Sequence, residues 1–175
     1  MVNSRLDTIN QINKEIKLHS DQDPMTGFKT LELAFSQGFR MKRVSFTKDT
    51  YFVKDKGLYK NRYTYARLEG LKVLQTIVLD ENQPLNGLPC FCLFYGTLEE
   101  LRGKGNTVSF IEQILEQFKK DLPRSYKEFY IETLIEVDNE ASLAIAAKLF
   151  GEPSKEGVDK NSGITNRVWQ TKVTK

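Results

Sequence analysis

A mixed α/β (α+β) sheet protein, with antiparallel N-terminal strands leading into a parallel strand–helix–strand unit flanked by helices, is the fold class this sequence predicts. Three stretches carry that expectation. Tyr63 to Glu69 and Lys72 to Asp80 are rich in β-forming residues and are separated by Gly70-Leu71, which suits a tight hairpin. Cys90 to Leu98 is a nearly continuous apolar run of the kind that fills a buried central strand. Between it and a second apolar run, Phe129 to Val137, the residues Val108, Ile111, Ile114, Leu115, Phe118 and Leu122 recur mostly at steps of three and four. That spacing makes an amphipathic helix, ended by Pro123, and a helix crossing between two strands most economically leaves them parallel.

The other elements follow in chain order. Leu6, Ile9, Ile12 and Ile16 lie at helical spacing with polar residues between them, predicting a first amphipathic helix. Pro24 and Gly27 interrupt the pattern, and a second short helix is expected from Phe28 to Ser36, ending before Gly38. The two helices are expected to form one N-terminal arm, residues 1–40. Residues 41 to 53 alternate loosely and predict one strand, and Lys54 to Asn61 reads as a charged connector. Asn82 to Pro89 holds two prolines and a glycine and is expected as a loop. Asn139 opens a helix that runs to about Phe150, where Gly151 and Pro153 stop it. A polar segment follows, and Thr165 to Val173 predicts a last strand carrying the only tryptophan, Trp169.

A chain of 175 residues with 39% apolar and 11% aromatic residues suits a single globular domain with a proper core. Its net charge of +3 comes from dispersed Lys and Arg, so the electrostatic footprint of a nucleic-acid binder is weak, although it would suit an anionic ligand. A module using Lys42, Arg43, Lys54, Lys56, Lys60 and Arg62 beside Tyr51, Phe52, Tyr59 and Tyr63 is the nucleic-acid alternative. The longest apolar stretch, Leu88 to Tyr95, is far shorter than the roughly 20 residues a membrane helix needs, so a cytoplasmic protein without membrane contact is expected. Cys90 and Cys92, two apart on one strand, have poor disulfide geometry. A metal site would need further ligands, and the single histidine, His19, is distant; two buried, inert thiols and no metal are expected.

The segment Arg102-Gly103-Lys104-Gly105-Asn106-Thr107 lies between a buried strand and a helix, where backbone N–H groups and the helix dipole can accept an anion and glycines let the backbone come close to it. Neither the Walker spacing nor the dinucleotide Gly-x-Gly-x-x-Gly spacing is present. The segment resembles the acyl-CoA loop of the GNAT superfamily of N-acetyltransferases: Gln or Arg, two residues, Gly, one residue, then Gly or Ala. Arg102, Gly105 and Thr107 stand at those positions. Thr107 departs from the small residue; its hydroxyl would either narrow the approach of the pyrophosphate or donate to it. Val137-Asp138-Asn139-Glu140-Ala141-Ser142, leading into Leu149-Phe150-Gly151, resembles the second signature of the superfamily, and the resemblance spans about residues 63 to 151.

The resemblance implies a single GNAT-like acyltransferase domain over residues 1–175, with the strands on either side of the loop helix splayed apart. Acetyl-CoA or another acyl-CoA would be the cofactor, with pantetheine in the gap. It further implies that Leu93 lies near the acyl carbonyl, Tyr95 and Thr97 along pantetheine, and Asn139 and Ser142 on the same groove; plain helix N-capping is the other reading of the last two. The expected partner is an amine on a small molecule or a protein, and a homodimer is compatible with it. The tyrosine that many members use as general acid falls on Ala146, and Pro89 stands where some members carry a carboxylate. Tyr95, Glu132 and Glu69 remain as proton-transfer candidates, Glu132 because a carboxylate on an apolar strand needs a partner when buried. The loss at Ala146 also permits a non-catalytic acyl-CoA sensor.

Overall fold

The computed structural model describes residues 26–45, 47–158 and 163–175. The helix expected around Leu6, Ile9, Ile12 and Ile16 lies outside them. Helix α1 spans Thr26–Ser36, and is followed by strands β1 (Lys42–Arg43), β2 (Thr50–Lys56), β3 (Asn61–Glu69), β4 (Lys72–Leu85) and β5 (Leu88–Thr97). Helix α2 (Asn106–Asp121), β6 (Glu128–Glu136), α3 (Glu140–Phe150), β7 (Lys155–Val158) and β8 (Thr165–Thr174) complete the order. The described strands form one mixed sheet in the order β1-β2-β3-β4-β5-β6-β8-β7. Only β5 and β6 run parallel among these pairs, and α2 is the crossover between them.

Each hairpin has a local cause. Gly70 at φ +62° lets β3 turn into β4, with Glu69 opposite Lys72. Asn86 (φ +50°) and Gly87 (φ +76°) sit at the tip between Leu85 and Leu88, a pair of left-handed residues that matches the twist of the flanking strands. The loop expected at Asn82 to Pro89 is therefore a hairpin. Pro84, which cannot donate to a ladder, falls where the register shifts between Asn82 and Leu85.

The single strand expected over residues 41–53 is two. β1 pairs back on β2 through Lys42 opposite Phe52, and the turn is held by the Val44 amide on the Thr50 carbonyl at 2.9 Å. The charged connector is shorter than expected, because β2 continues to Lys56 and pairs there with Asn61; Asp55 and Arg62 face each other across the strands with an ion pair of 2.6 Å. Helix α1 begins one residue before Gly27 rather than after it. β7, all exposed at the sheet edge, has no apolar alternation that could announce a strand.

The sheet separates two packed layers. On one face α1 buries Phe28, Leu31 and Phe35 against Ala66, Leu68 and Val73. Gly96 makes that approach feasible, since a Cβ there would lie 2.8 Å from the Phe28 ring. On the other face the apolar stripe of α2, Phe110, Ile111, Ile114 and Phe118, packs on Tyr63, Tyr65, Phe91, Leu93, Phe129 and Ile131. Trp169 closes the core beneath α3, buried with Ile135 and Ala146, and its indole N–H donates to the Gly151 carbonyl at 2.8 Å. β5 sits centrally as expected but is not buried throughout: Phe94 is 57% exposed. Among the described residues no helix is long and apolar enough to cross a membrane.

Candidate active site

The parallel ladder between β5 and β6 comprises three pairs, Cys90 with Tyr130, Phe91 with Ile131 and Cys92 with Glu132. Beyond them β5 stays on β4 as far as Thr97 opposite Gln75, and β6 stays on β8 as far as Glu136 opposite Asn166. Each strand is held by its outer neighbour while the inner edges part. The buried Thr133 hydroxyl donates to the Leu93 carbonyl at 3.2 Å and bridges the base of the wedge. Backbone groups along such an edge require partners.

At the open end of β5, a short 3-10 turn (Glu99–Leu101) leads into the loop. Gly103 and Gly105 are left-handed at φ +71° and +72°, and a Cβ on either would meet nothing within 4 Å, so glycine serves the backbone path there and the space in front is open. Gly105 caps α2 without a side-chain hydrogen bond, which leaves the first N–H groups of that helix available to an anion. Arg102 donates from Nε to the Thr97 carbonyl at 2.9 Å, and Lys104 Nζ donates to the Glu100 carbonyl at 3.0 Å. Both charges are thereby kept beside the loop. Asn106 is exposed and Thr107 half-buried.

Strand register separates the remaining candidates by face. Leu93, Tyr95 and Thr97 point to the α2 side; Leu93 is 2% exposed and packs in the core, so it can meet a ligand only through its backbone. The Tyr95 hydroxyl reaches over the wedge and donates to the Ser142 carbonyl at 3.2 Å. Burial pushes the Tyr95 phenol above its ordinary value, so the proton is retained at neutral pH. Asn139 caps α3, its Oδ1 accepting from the Ser142 amide at 3.1 Å. Thr97 is only 7% exposed and shares a hydrogen bond of 2.8 Å with Thr107, beneath the loop.

Glu132 lies on the opposite face, in register with Cys92. Gln170 donates to one of its oxygens at 2.6 Å, and the Cys92 thiol lies 3.8 Å from the other. Phe94 and Leu134, 57% and 54% exposed, flank the splay on this side. Burial, with Glu132 as the second cause, pushes the Cys90 and Cys92 thiols up to about 11 and about 12, so both stay protonated and unreactive near neutral pH. Glu69 is exposed at the β3 hairpin end, opposite Lys72, whose ammonium donates to Glu100 at 2.7 Å. Ala146, at the position of the expected tyrosine, is 1% exposed and packs with Ile135 and Trp169.

Sequence reasoning did not find Gln170, Thr133, Phe94 or Leu134, nor Arg67 and Gln75, which join Thr97 below the loop. Gln75 carried a signal, as a polar residue inside an apolar strand. A groove of about 370 Å³ between α2, α3 and β8, lined by Leu115, Phe129, Leu149, Phe150 and Val173 among others, includes none of the loop or wedge residues. Three of the six cationic residues around β2 and β3 are engaged locally: Arg62 with Asp55, Lys54 over the Tyr63 ring at 5.1 Å and Lys60 over Tyr59 at 5.3 Å.

No protein-family model matches the sequence, and no curated protein matches it significantly. Solved structures do match the fold. The apo ribosomal L7/L12 alpha-N-protein acetyltransferase RimL is similar with TM-score 0.51 and 14% identity, over 97% of this chain and 86% of that one. The ribosomal-protein-S5-alanine acetyltransferase from Vibrio fischeri is similar with TM-score 0.50 and 14% identity, over 63% of this chain; the match spans 60% of that enzyme. The fold of this chain is that of the GNAT superfamily N-acetyltransferases.

Proposed function

We propose that this protein is an acetyl-CoA-dependent N-acetyltransferase, one domain over residues 1–175 with residues 1–40 as a helical arm, acting on an amine in a ternary complex. The observation that carries the proposal is the coincidence of the splay with the anion loop at the same end of β5. The residues fit the ligand class: uncapped N–H groups at α2, two left-handed glycines with open space before them, and two cations held alongside.

Acetyl-CoA, when bound, supplies an acyl group activated as a thioester. Gly103, Gly105, Asn106 and Thr107 hold phosphate charge through backbone, with Arg102 and Lys104 adding positive potential. The edges of Leu93, Tyr95 and Thr97 offer backbone N–H groups and the Tyr95 carbonyl along the wedge, the Leu93 and Thr97 carbonyls already accepting from Thr133 and Arg102, and Asn139 and Ser142 form its far wall. Tyr95 presents a phenol proton from the α3 side, while Glu132, oriented by Gln170, accepts the amine proton from the other side. That second face is where α1 packs, and we assign the amine-bearing acceptor, a small molecule or a protein, to it. We read the activity as cytoplasmic.

Millimolar acetyl-CoA is expected to raise the melting temperature, since a ligand at about 100 times its Kd stabilises by about 2.7 kcal/mol, or roughly 5–10 °C for a chain of this size. NAD and ATP are expected to do much less. An unchanged melting curve with acetyl-CoA overturns the reading. A second reading, a non-catalytic acyl-CoA sensor, is favoured by the burial of Ala146; it predicts the same thermal shift with no thiol release over an amine panel.

Tyr95→Phe is expected to lower turnover about tenfold, because it removes the phenol proton while leaving ring packing intact. Circular dichroism and acetyl-CoA affinity should match the unmodified protein. Unchanged turnover under those conditions would assign Tyr95 to packing.

A further inference from the structure

Beneath the loop, a line of side chains runs from β3 to the first turn of α2. Arg67 lies 4.4 Å over the Phe110 ring, has Asp49 at 3.6 Å, and donates from Nη1 to Gln75 Oε1 at 2.8 Å. Gln75, 1% exposed, donates from Nε2 to Thr97 Oγ1 at 3.2 Å. The hydroxyls of Thr97 and Thr107 are 2.8 Å apart.

The chemistry of the donors gives this line one direction. A guanidinium only donates, so the carbonyl end of the Gln75 amide must face Arg67, and its NH2 then faces Thr97. Thr97 accepts there and still has a proton of its own. Buried hydroxyls are hydrogen-bonded, and Thr107 Oγ1 is the acceptor in reach. Once the Thr107 oxygen accepts from Thr97, its own proton is directed away from the sheet. Thr107 is half-buried, one residue into α2, beside the helix N–H groups that no side chain caps.

We propose that the Thr107 hydroxyl is a dedicated donor to a pyrophosphate oxygen of the ligand, and that Arg67, Gln75 and Thr97 are positioning residues that hold it in the donating sense. The assignment rests on the acyl-CoA reading above and deepens it. Where the acyl-CoA loop pattern has Gly or Ala, this chain uses a side-chain donor whose direction is imposed from β3 and β4. A neutral hydroxyl donating to a charged oxygen makes one of the stronger classes of hydrogen bond, so its loss has a measurable effect on affinity.

The test measures dissociation constants for CoA and for pantetheine, which lacks the phosphates, in the full chain. Thr107→Ala and Thr107→Val are both expected to weaken CoA roughly tenfold and leave pantetheine unchanged, whereas Thr107→Ser stays within about twofold of the unmodified protein. Thr97→Val is expected to weaken CoA severalfold, and adding it to Thr107→Ala should cost little more, since both break one line. Val preserves shape and Ala relieves crowding, so either variant decides alone if the other fails to fold. CoA bound by folded Thr107→Ala or Thr107→Val as tightly as by the unmodified protein removes the hydroxyl from the site while the acyl-CoA reading stands. Failure of the unmodified protein to bind CoA overturns that reading and this assignment together.

Discussion

Gly105→Asp is expected to weaken CoA binding by a hundredfold or more while the chain still folds. The left-handed backbone at φ +72° makes any side chain there cost about 1 kcal/mol, a small part of a typical domain's stability. Nothing within 4 Å obstructs the new atoms, so the carboxylate projects into the open space before α2. There it meets phosphate with like charge and blocks close approach of the backbone. Gly105→Ala keeps the strain and omits the charge, and should be milder. Arg102→Ala should also be milder, since that side chain is bonded back to the Thr97 carbonyl. Calorimetric titration checks all three, and an unaltered constant for folded Gly105→Asp would take the loop out of the site.

Phe118→Ala is expected to destabilise the protein by about 3–5 kcal/mol, enough to threaten a domain of ordinary stability. Phe118 is fully buried and meets Tyr63, Phe91 and Phe129 edge-on at 5.0, 4.9 and 5.7 Å. These rings come from β3, β5 and β6, so the cavity would open beneath the short paired section from which the wedge departs. Urea unfolding measures the loss. A change below about 1 kcal/mol would show that neighbouring rings collapse into the space and that the wedge does not depend on this contact.

What could be read from the sequence was what a local pattern encodes. The β3–β4 hairpin, α2 and α3 each carry their turn residue, stripe or cap within a few positions. At residues 82–89 two prolines outweighed Asn86-Gly87, although those two residues alone make the tight turn and Pro84 needs only a gap in the ladder. Residues 41–53 failed for a related reason: their alternation spans a turn fixed by Thr50 and Val44, which a period of two does not reveal. The anion loop was legible because glycines, charge and flanking elements are contiguous. The opposite facing of Tyr95 and Glu132 depends on a register between strands distant in sequence, and the Gln75–Thr97 bond joins residues 22 apart. No local pattern reports either.

The three-pair joint also bears on the order in which the molecule assembles. β2 to β5 are successive hairpins, each closing a short turn, so their pairing demands little chain entropy. β6 pairs with β5 across the intervening 16-residue α2, the slower, non-local kind of contact. The seam therefore closes late in folding, with few backbone bonds to hold it. Three ladder pairs leave this seam lightly held, so a molecule lodged in the wedge and touching both strands would add contacts across it.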